Sequence, residues 1–143
     1  MTSISRKISI STVLTFFFQA GESPLSFCCT STGKKAKNSE FEDYENCTFA
    51  ADDVITAMID FTGNQVQISF MKNGDALGNA FAFPKSQLSG KFLFPHVSSR
   101  NAKFEVNFGK AKDGSVQEPA FPLPAGFKMA ADCLGNASRG AAR

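Results

Sequence analysis

The sequence predicts an all-β fold, an antiparallel β-sandwich, and three observations carry that expectation. Residues 65–70 (Gln-Val-Gln-Ile-Ser-Phe) alternate strictly, so Val66, Ile68 and Phe70 share one face of a strand and the polar residues take the other. Asn73-Gly74 follows closely, and Asn-Gly is the strongest short-range sign of a tight hairpin because both central residues of a type I′ turn need positive φ. From Asp53 onward, moreover, no segment repeats its apolar residues at helical spacing.

The elements follow in order. Residues 54–61 are mostly apolar through Val54, Ile55, Met58, Ile59 and Phe61, which suits a strand covered on both faces or set at a sheet centre. Thr62-Gly63-Asn64 supplies the turn into residues 65–70, since Gly and Asn tolerate positive φ. The hairpin at Asn73 and Gly74 sends residues 76–83 back antiparallel. Residues 92–97 read as a short strand in which Pro95, lacking a donor, marks an edge or an end. Residues 102–108 alternate again, which predicts Ala102, Phe104, Val106 and Phe108 on a buried face and Lys103, Glu105 and Asn107 outward. Residues 118–124 hold too much proline for a central strand and are expected to lie extended over the sandwich. The tail, residues 130–143, has no apolar period and is expected to be disordered.

Composition bounds the function. The 143 residues suffice for one domain and fall short of two of ordinary size. Hydrophobic residues at 43% and charged residues at 20% exclude the disordered and membrane classes. Sixteen Phe against one Tyr and no Trp predict a core built on bulk that needs no hydrogen-bond partner. A net charge of +2 is too small to be an electrostatic footprint for nucleic acid, so any RNA contact must be local.

The four cysteines, Cys28, Cys29, Cys47 and Cys133, include no C-x-x-C pair, and His96 is the lone imidazole; a metal site is not expected. Adjacent Cys28 and Cys29 do not suit a secreted disulfide framework, which favours reduced thiols in a cytosolic or nuclear setting. Two features point the other way. Arg6 and Lys7 precede an apolar run over residues 8–18, a loose likeness to a signal peptide that Ser9, Ser11, Thr12 and Thr15 dilute. Asn46-Cys47-Thr48 and Asn136-Ala137-Ser138 are glycosylation triplets.

A series of short motifs is shared with one known family. Asp53-Val54-Ile55, Ile68-Ser69-Phe70 with Lys72-Asn73-Gly74, Leu77-Gly78 with Ala80-Phe81, Phe94-Pro95-His96-Val97 and Val106-Asn107-Phe108-Gly109 together resemble the ordered signature of the SPRY domain. Upstream, Thr32-Gly33-Lys34-Lys35, Asn38-Ser39 and Phe41-Glu42-x-Tyr44 are similar to the segment preceding that core in the heterogeneous nuclear ribonucleoprotein U-like family. Downstream, Phe121-Pro122-x-Pro124 with Phe127 resembles the closing stretch of the domain. The likeness runs over residues 21–129 and implies a concanavalin-like jelly-roll sandwich that is incomplete at its amino terminus, without its opening strands. Cys28-Cys29 stands where the family usually has a glycine and an aromatic, Glu45 replaces a glycine, and Cys47-Thr48 carries one extra residue. Residues 1–20 are expected to be a non-homologous leader, intron-derived or disordered, since Phe16-Phe17-Phe18-Gln19 is what a pyrimidine tract followed by CAG would encode. A partial sandwich should expose apolar surface, which predicts poor solubility of the isolated chain.

Candidate sites are few. Gly33-Lys34-Lys35 fails as a phosphate loop, because Cys28 stands where the first glycine is needed and Lys35 where Ser or Thr is needed. Lys34, Lys35 and Lys37 read as a solvated basic loop, available to an RNA backbone or an acidic partner. Asn73 and Gly74 are structural turn residues. His96 lacks any evident nucleophile or orienting partner, and adjacent Asp52 and Asp53 would point to opposite faces of a strand and cannot act as a dyad. The sequence nominates no catalytic residue, cofactor, metal or membrane segment. The resemblance implies a non-catalytic module for a protein or peptide ligand in nuclear ribonucleoprotein and RNA-processing company, with a cytoplasmic setting as the alternative. Direct RNA contact through the basic loop is a second reading, and a secreted sandwich using residues 1–18 as a signal is a third.

Overall fold

The computed structural model describes residues 7–11 (as backbone), 25–91, 93, 95, 97 and 103–133. Among these, eight strands form two sheets: β1 (Lys7–Ser11), β2 (Phe27–Cys29), β3 (Lys34–Lys37), β4 (Glu40–Asp43), β5 (Ile55–Asp60), β6 (Gln65–Lys72), β7 (Asp75–Pro84) and β8 (Lys128–Met129). The larger sheet runs β7-β6-β5-β1-β8 and the smaller β2-β3-β4. Neighbours are antiparallel except β1 and β8, which run parallel.

The meander β5-β6-β7 forms as its alternation and turns dictate. Asn73 and Gly74 have φ of 50° and 87°, so the two-residue turn between Lys72 and Asp75 has both central residues in the left-handed region. Glycine at 74 is required twice over, because a Cβ there would also sit 2.9 Å from the Phe121 ring. That ring places the proline-rich segment against the hairpin tip. At the other end of β5, the backbone N–H and hydroxyl of Thr62 both donate to Asp60 Oδ1, at 2.8 and 2.6 Å, and the side chain thereby makes the turn into β6.

Two faces of the larger sheet are buried. On one, Val66, Ile68 and Phe70 of β6 join Ile55 and Phe83 and pack against Cys29, Tyr44, Cys47 and Phe49 from the smaller sheet and its loop. Phe27 stacks on Phe83 across the layers, with ring centroids 4.8 Å apart. Each such side chain contributes about 1.5–3 kcal/mol of burial. On the other face Thr56, Met58 and Met71 are buried, so β5 is covered on both sides as its near-continuous apolar run predicts. Met58 and Met129 occupy one register row across β1, and Gly109 lies so close to Met129 that a Cβ would stand 2.6 Å from the methionine's own.

Several expectations are corrected. Residues 103–106 form no strand, and Phe104 and Phe108 are 41% and 38% exposed instead of buried. The segment after them makes its hydrogen bonds locally: Gln117 N–H to Gly109 O (3.0 Å), Asn107 Nδ2 to Glu118 O (2.8 Å) and Ala111 N–H to Ser115 O (2.9 Å) close a small excursion on itself. Among the described residues no strand lies beside residues 103–106, and an alternation without such a neighbour does not become a ladder. Leu93, Pro95 and Val97 are likewise not in a strand, while Phe92, Phe94 and His96 lie outside the described residues. Cys29 and Cys47 are joined in a disulfide, contrary to the expected reduced thiols, because the end of β2 and the loop after β4 converge in the core. Cys28 and Cys133 remain thiols, and burial pushes the Cys28 thiol up from its ordinary pKa.

The ends also differ from the expected boundaries. Within residues 1–20, Lys7–Ser11 is a strand between β5 and β8. Residues 130–133 wind into one helical turn in which Ala130 and Cys133 are buried, tied back by Ala131 N–H to Phe108 O at 2.8 Å. The rest of both terminal segments lies outside the described residues.

Candidate functional site

Lys34, Lys35 and Lys37 do not sit on a loop. They form β3, the central strand of the smaller sheet, and Asn38 and Ser39, with φ of 53° and 63°, turn the chain tightly into β4. The register sets Lys34 opposite Asp43, Lys35 opposite Glu42 and Lys37 opposite Glu40. Every lysine of the hairpin therefore faces a carboxylate, and opposite charges in directly facing positions stabilise such a pair.

Each side chain has a local task. Lys34 Nζ bonds Asp43 Oδ1 at 2.7 Å, and the ammonium holds that carboxyl below its ordinary pKa. Lys35 points toward the larger sheet, donates to Ala80 O at 2.9 Å, lies 3.5 Å from Glu42 and stands over the Phe81 ring. Lys37 stands over the rings of Phe27 and Phe83, 5.3 and 5.8 Å from their centroids. Tyr44, just after β4, completes the arrangement by donating its hydroxyl to Gly78 O at 2.6 Å while its ring meets Phe70 edge-on.

Lys35 and Tyr44 thus occupy two carbonyls of β7, which lies at one edge of the larger sheet among the described residues. β7 is further distorted by register shifts against β6 on either side of Ser69, and Gly78 takes φ of 84° there. Bulges and side-chain caps are two ways in which a sheet edge is kept from pairing with another chain. Sequence reasoning finds the Leu77-Gly78 and Ala80-Phe81 motifs but not this purpose, since no local signal links residue 35 or 44 to a carbonyl on a distant strand.

β4 is different. All four of its residues are exposed, Phe41 at 53%, and no strand flanks its outer side among the described residues. Lys37 and Glu40 close a two-residue turn and are a hydrogen-bonded pair, and Tyr44 N–H reaches Gly33 O at 2.9 Å. Bonding alternates along an antiparallel ladder, so Glu40 and Glu42 bond inward to β3 while the N–H and C=O of Phe41 and Asp43 face outward.

Asn73 and Gly74 make the turn between β6 and β7. Asn73 Oδ1 accepts the Val54 N–H (2.8 Å), its Nδ2 donates to Asp53 Oδ1 (2.7 Å), and Lys72 Nζ donates to Thr48 O (2.6 Å). Bonds from the Ala50 N–H and then from Asn73 hold the Asp53 carboxyl below its ordinary pKa. Asp53 thereby ties the hairpin tip to the loop before β5. A shallow polar hollow beside the β5–β6 turn is lined by Asp60, Thr62, Gly63, Asn64, Gln65 and Gln67. Among the described residues no group of three or more His, Cys, Asp or Glu is placed to hold a metal ion, and no helix is long and apolar enough to cross a membrane.

Comparison with known proteins places this arrangement. The model of the SPRY domain matches residues 8–111, beginning well before Gly21, where the motif likeness starts. Heterogeneous nuclear ribonucleoprotein U-like protein 2 of Mus musculus is 39% identical over 109 residues, which is 76% of this chain and 14% of that protein; the Homo sapiens protein of the same name gives the same figures. The ATP-dependent RNA helicase Ddx1 of Drosophila melanogaster is 39% identical over 90 residues, 63% of this chain and 12% of that protein. The chain spans about one seventh of the length of the first two relatives. With two mostly antiparallel sheets, the ordered motifs and a match over most of its length, the chain belongs to the SPRY domain family.

Proposed function

We propose that this chain is a non-catalytic protein-interaction module that works in nuclear ribonucleoprotein company, taking a protein or peptide ligand rather than RNA. SPRY is a protein-interaction domain, and the relatives' names, a nuclear ribonucleoprotein and an RNA helicase, support the setting. The observation that carries the choice of ligand is the matched charge of the β3–β4 hairpin. Lys34 and Lys35 pair with Asp43 and Glu42 across the strands and Lys37 stands over the Phe27 and Phe83 rings, so the cluster that would attract phosphates is largely engaged within the chain. Sequence-independent RNA affinity comes from lysines and arginines that displace counterions, and lysines held over rings or on carbonyls are poorly placed for that.

Capture from nuclear extract on the immobilised chain, with and without ribonuclease, tests the reading. Proteins retained after ribonuclease treatment are the expected result, and loss of all retained protein would overturn it. Direct RNA contact through Lys34, Lys35 and Lys37 remains the second reading, and it has its own signature. Three phosphate contacts to a single strand would give a slope of about −2 for log K against log salt, and a slope near zero discards it. The secreted reading requires cleavage of residues 1–18, which would remove β1 from between β5 and β8. Glycan on Asn46 in cells would favour it.

A further inference from the structure

The edges of the two sheets are treated unequally. β7 is bulged and has Gly78 O and Ala80 O occupied by Tyr44 and Lys35, whereas β4 presents two outward-facing residues with no such cover among the described residues. Phe41 and Asp43 offer their backbone N–H and C=O groups outward, in the alternation that an added strand needs. We propose that β4 is the docking edge of the module and that it accepts an extended basic peptide as a fourth strand beside β4. This rests on the reading of the chain as a protein-interaction module.

The chemistry of the occupant follows from β4 and its flank, Glu40-Phe41-Glu42-Asp43-Tyr44-Glu45. Glu40 and Glu42 project on one face of the sheet, Phe41 and Asp43 on the other. Lys34 and Lys35 pair with Asp43 and Glu42, which leaves Glu40 and Glu45 without an ion pair among the described residues. A strand laid alongside would therefore place Lys or Arg on the Glu40 and Glu42 face and an apolar residue beside Phe41. A second copy of the chain fits badly, because two β4 strands edge to edge would bring like charges together, which destabilises the pair. An RNA strand fits no better, having neither strand hydrogen bonds to give nor positive charge. Exposed Phe41 at the edge supplies the apolar contact that main-chain hydrogen bonding alone lacks.

The probe is a fluorescein-labelled peptide of alternating Lys and Val, titrated against the whole chain by fluorescence anisotropy. A matching Glu and Val peptide and a Lys and Val peptide N-methylated on alternate residues are the controls. Saturable binding is expected for the first peptide, with a loss of roughly tenfold or more on charge reversal in the peptide, on N-methylation, and in the variants Glu40→Lys and Phe41→Ala. Both variants alter exposed side chains, and Glu40→Gln, with a smaller loss, serves if Glu40→Lys disturbs the hairpin. No binding, equal binding of the Glu peptide, or unchanged affinity in the variants would overturn the inference. If the variants still retain ribonuclease-resistant partners from extract, β4 is not the edge used and the interaction module stands. If the unaltered chain retains none, that broader reading fails instead.

Discussion

In β6, flanked by β5 and β7, Val66, Ile68 and Phe70 are buried in the core, whereas Phe104 and Phe108, in a segment with the same alternation, stand substantially exposed. The local patterns are equivalent, Gln-Val-Gln-Ile-Ser-Phe against Lys-Phe-Glu-Val-Asn-Phe. What separates them is the neighbour. β6 has a hairpin at each end to bring a partner alongside, Thr62-Gly63-Asn64 before it and Asn73-Gly74 after it. Residues 103–106 are flanked by no such turn among the described residues, and the chain beyond bonds largely to itself through Asn107, Gly109 and Asp113. Alternation states which face a residue will take once a strand exists; the turns decide whether the strand exists.

The sharpest way to break that comparison is to truncate one ring in each region. Phe83→Ala removes a buried ring stacked on Phe27 and should cost about 3–5 kcal/mol, while Phe104→Ala should change stability by about 0.5 kcal/mol or less. Urea unfolding of the two variants measures the difference, and equal losses would mean that residues 103–108 are packed as a strand after all. The next effect is at the hairpin that β6 depends on. Gly74→Ala forces a Cβ into positive φ and toward Phe121, with an expected cost of about 1–3 kcal/mol. Adding Phe121→Ala should recover the part due to contact and leave the part due to backbone strain.

A smaller effect concerns the guarded edge. Tyr44→Phe removes the hydroxyl bond to Gly78 O, with an expected cost of about 1 kcal/mol, and should hasten amide exchange around the Gly78 bulge. The smallest is electrostatic. Asp53 and Asp43 both have carboxyls held below the ordinary value of 3.8 by donors that favour the ionised form. As pH falls the unfolded chain takes up those protons first, so their stabilisation, present above the ordinary carboxylate pKa, is lost as pH falls through the lower native values. Thermal melting should therefore be level near neutrality and decline below about pH 4, and Asp53→Asn should flatten part of that decline.

Much of the larger sheet was legible in the sequence for reasons that are local. Strict alternation, an Asn-Gly turn and a near-continuous apolar run are each specified within a few residues, and they give β5, β6 and β7. The β3–β4 hairpin was not. Lys and Glu are poor strand formers, Asn38-Ser39 is a weak turn signal, and the pairing is carried by charges that are visible only once the register is known. Lys34, Lys35 and Lys37 read from sequence as a solvated basic loop for the same reason, since nothing local tells that Lys35 and Lys37 turn inward to Phe81, Phe27 and Phe83. The Cys29–Cys47 disulfide was equally hidden, being a consequence of which loops meet in the core.

Residue-resolved amide hydrogen exchange addresses the whole architecture in one experiment. Slow exchange is expected across the interior of β5 and β6, fast exchange at residues 103–106, and an alternating pattern in β4, with Glu40 and Glu42 protected and Phe41 and Asp43 open. Protection over residues 103–106, or uniform protection along β4, would show that the paired and unpaired edges have been assigned the wrong way round.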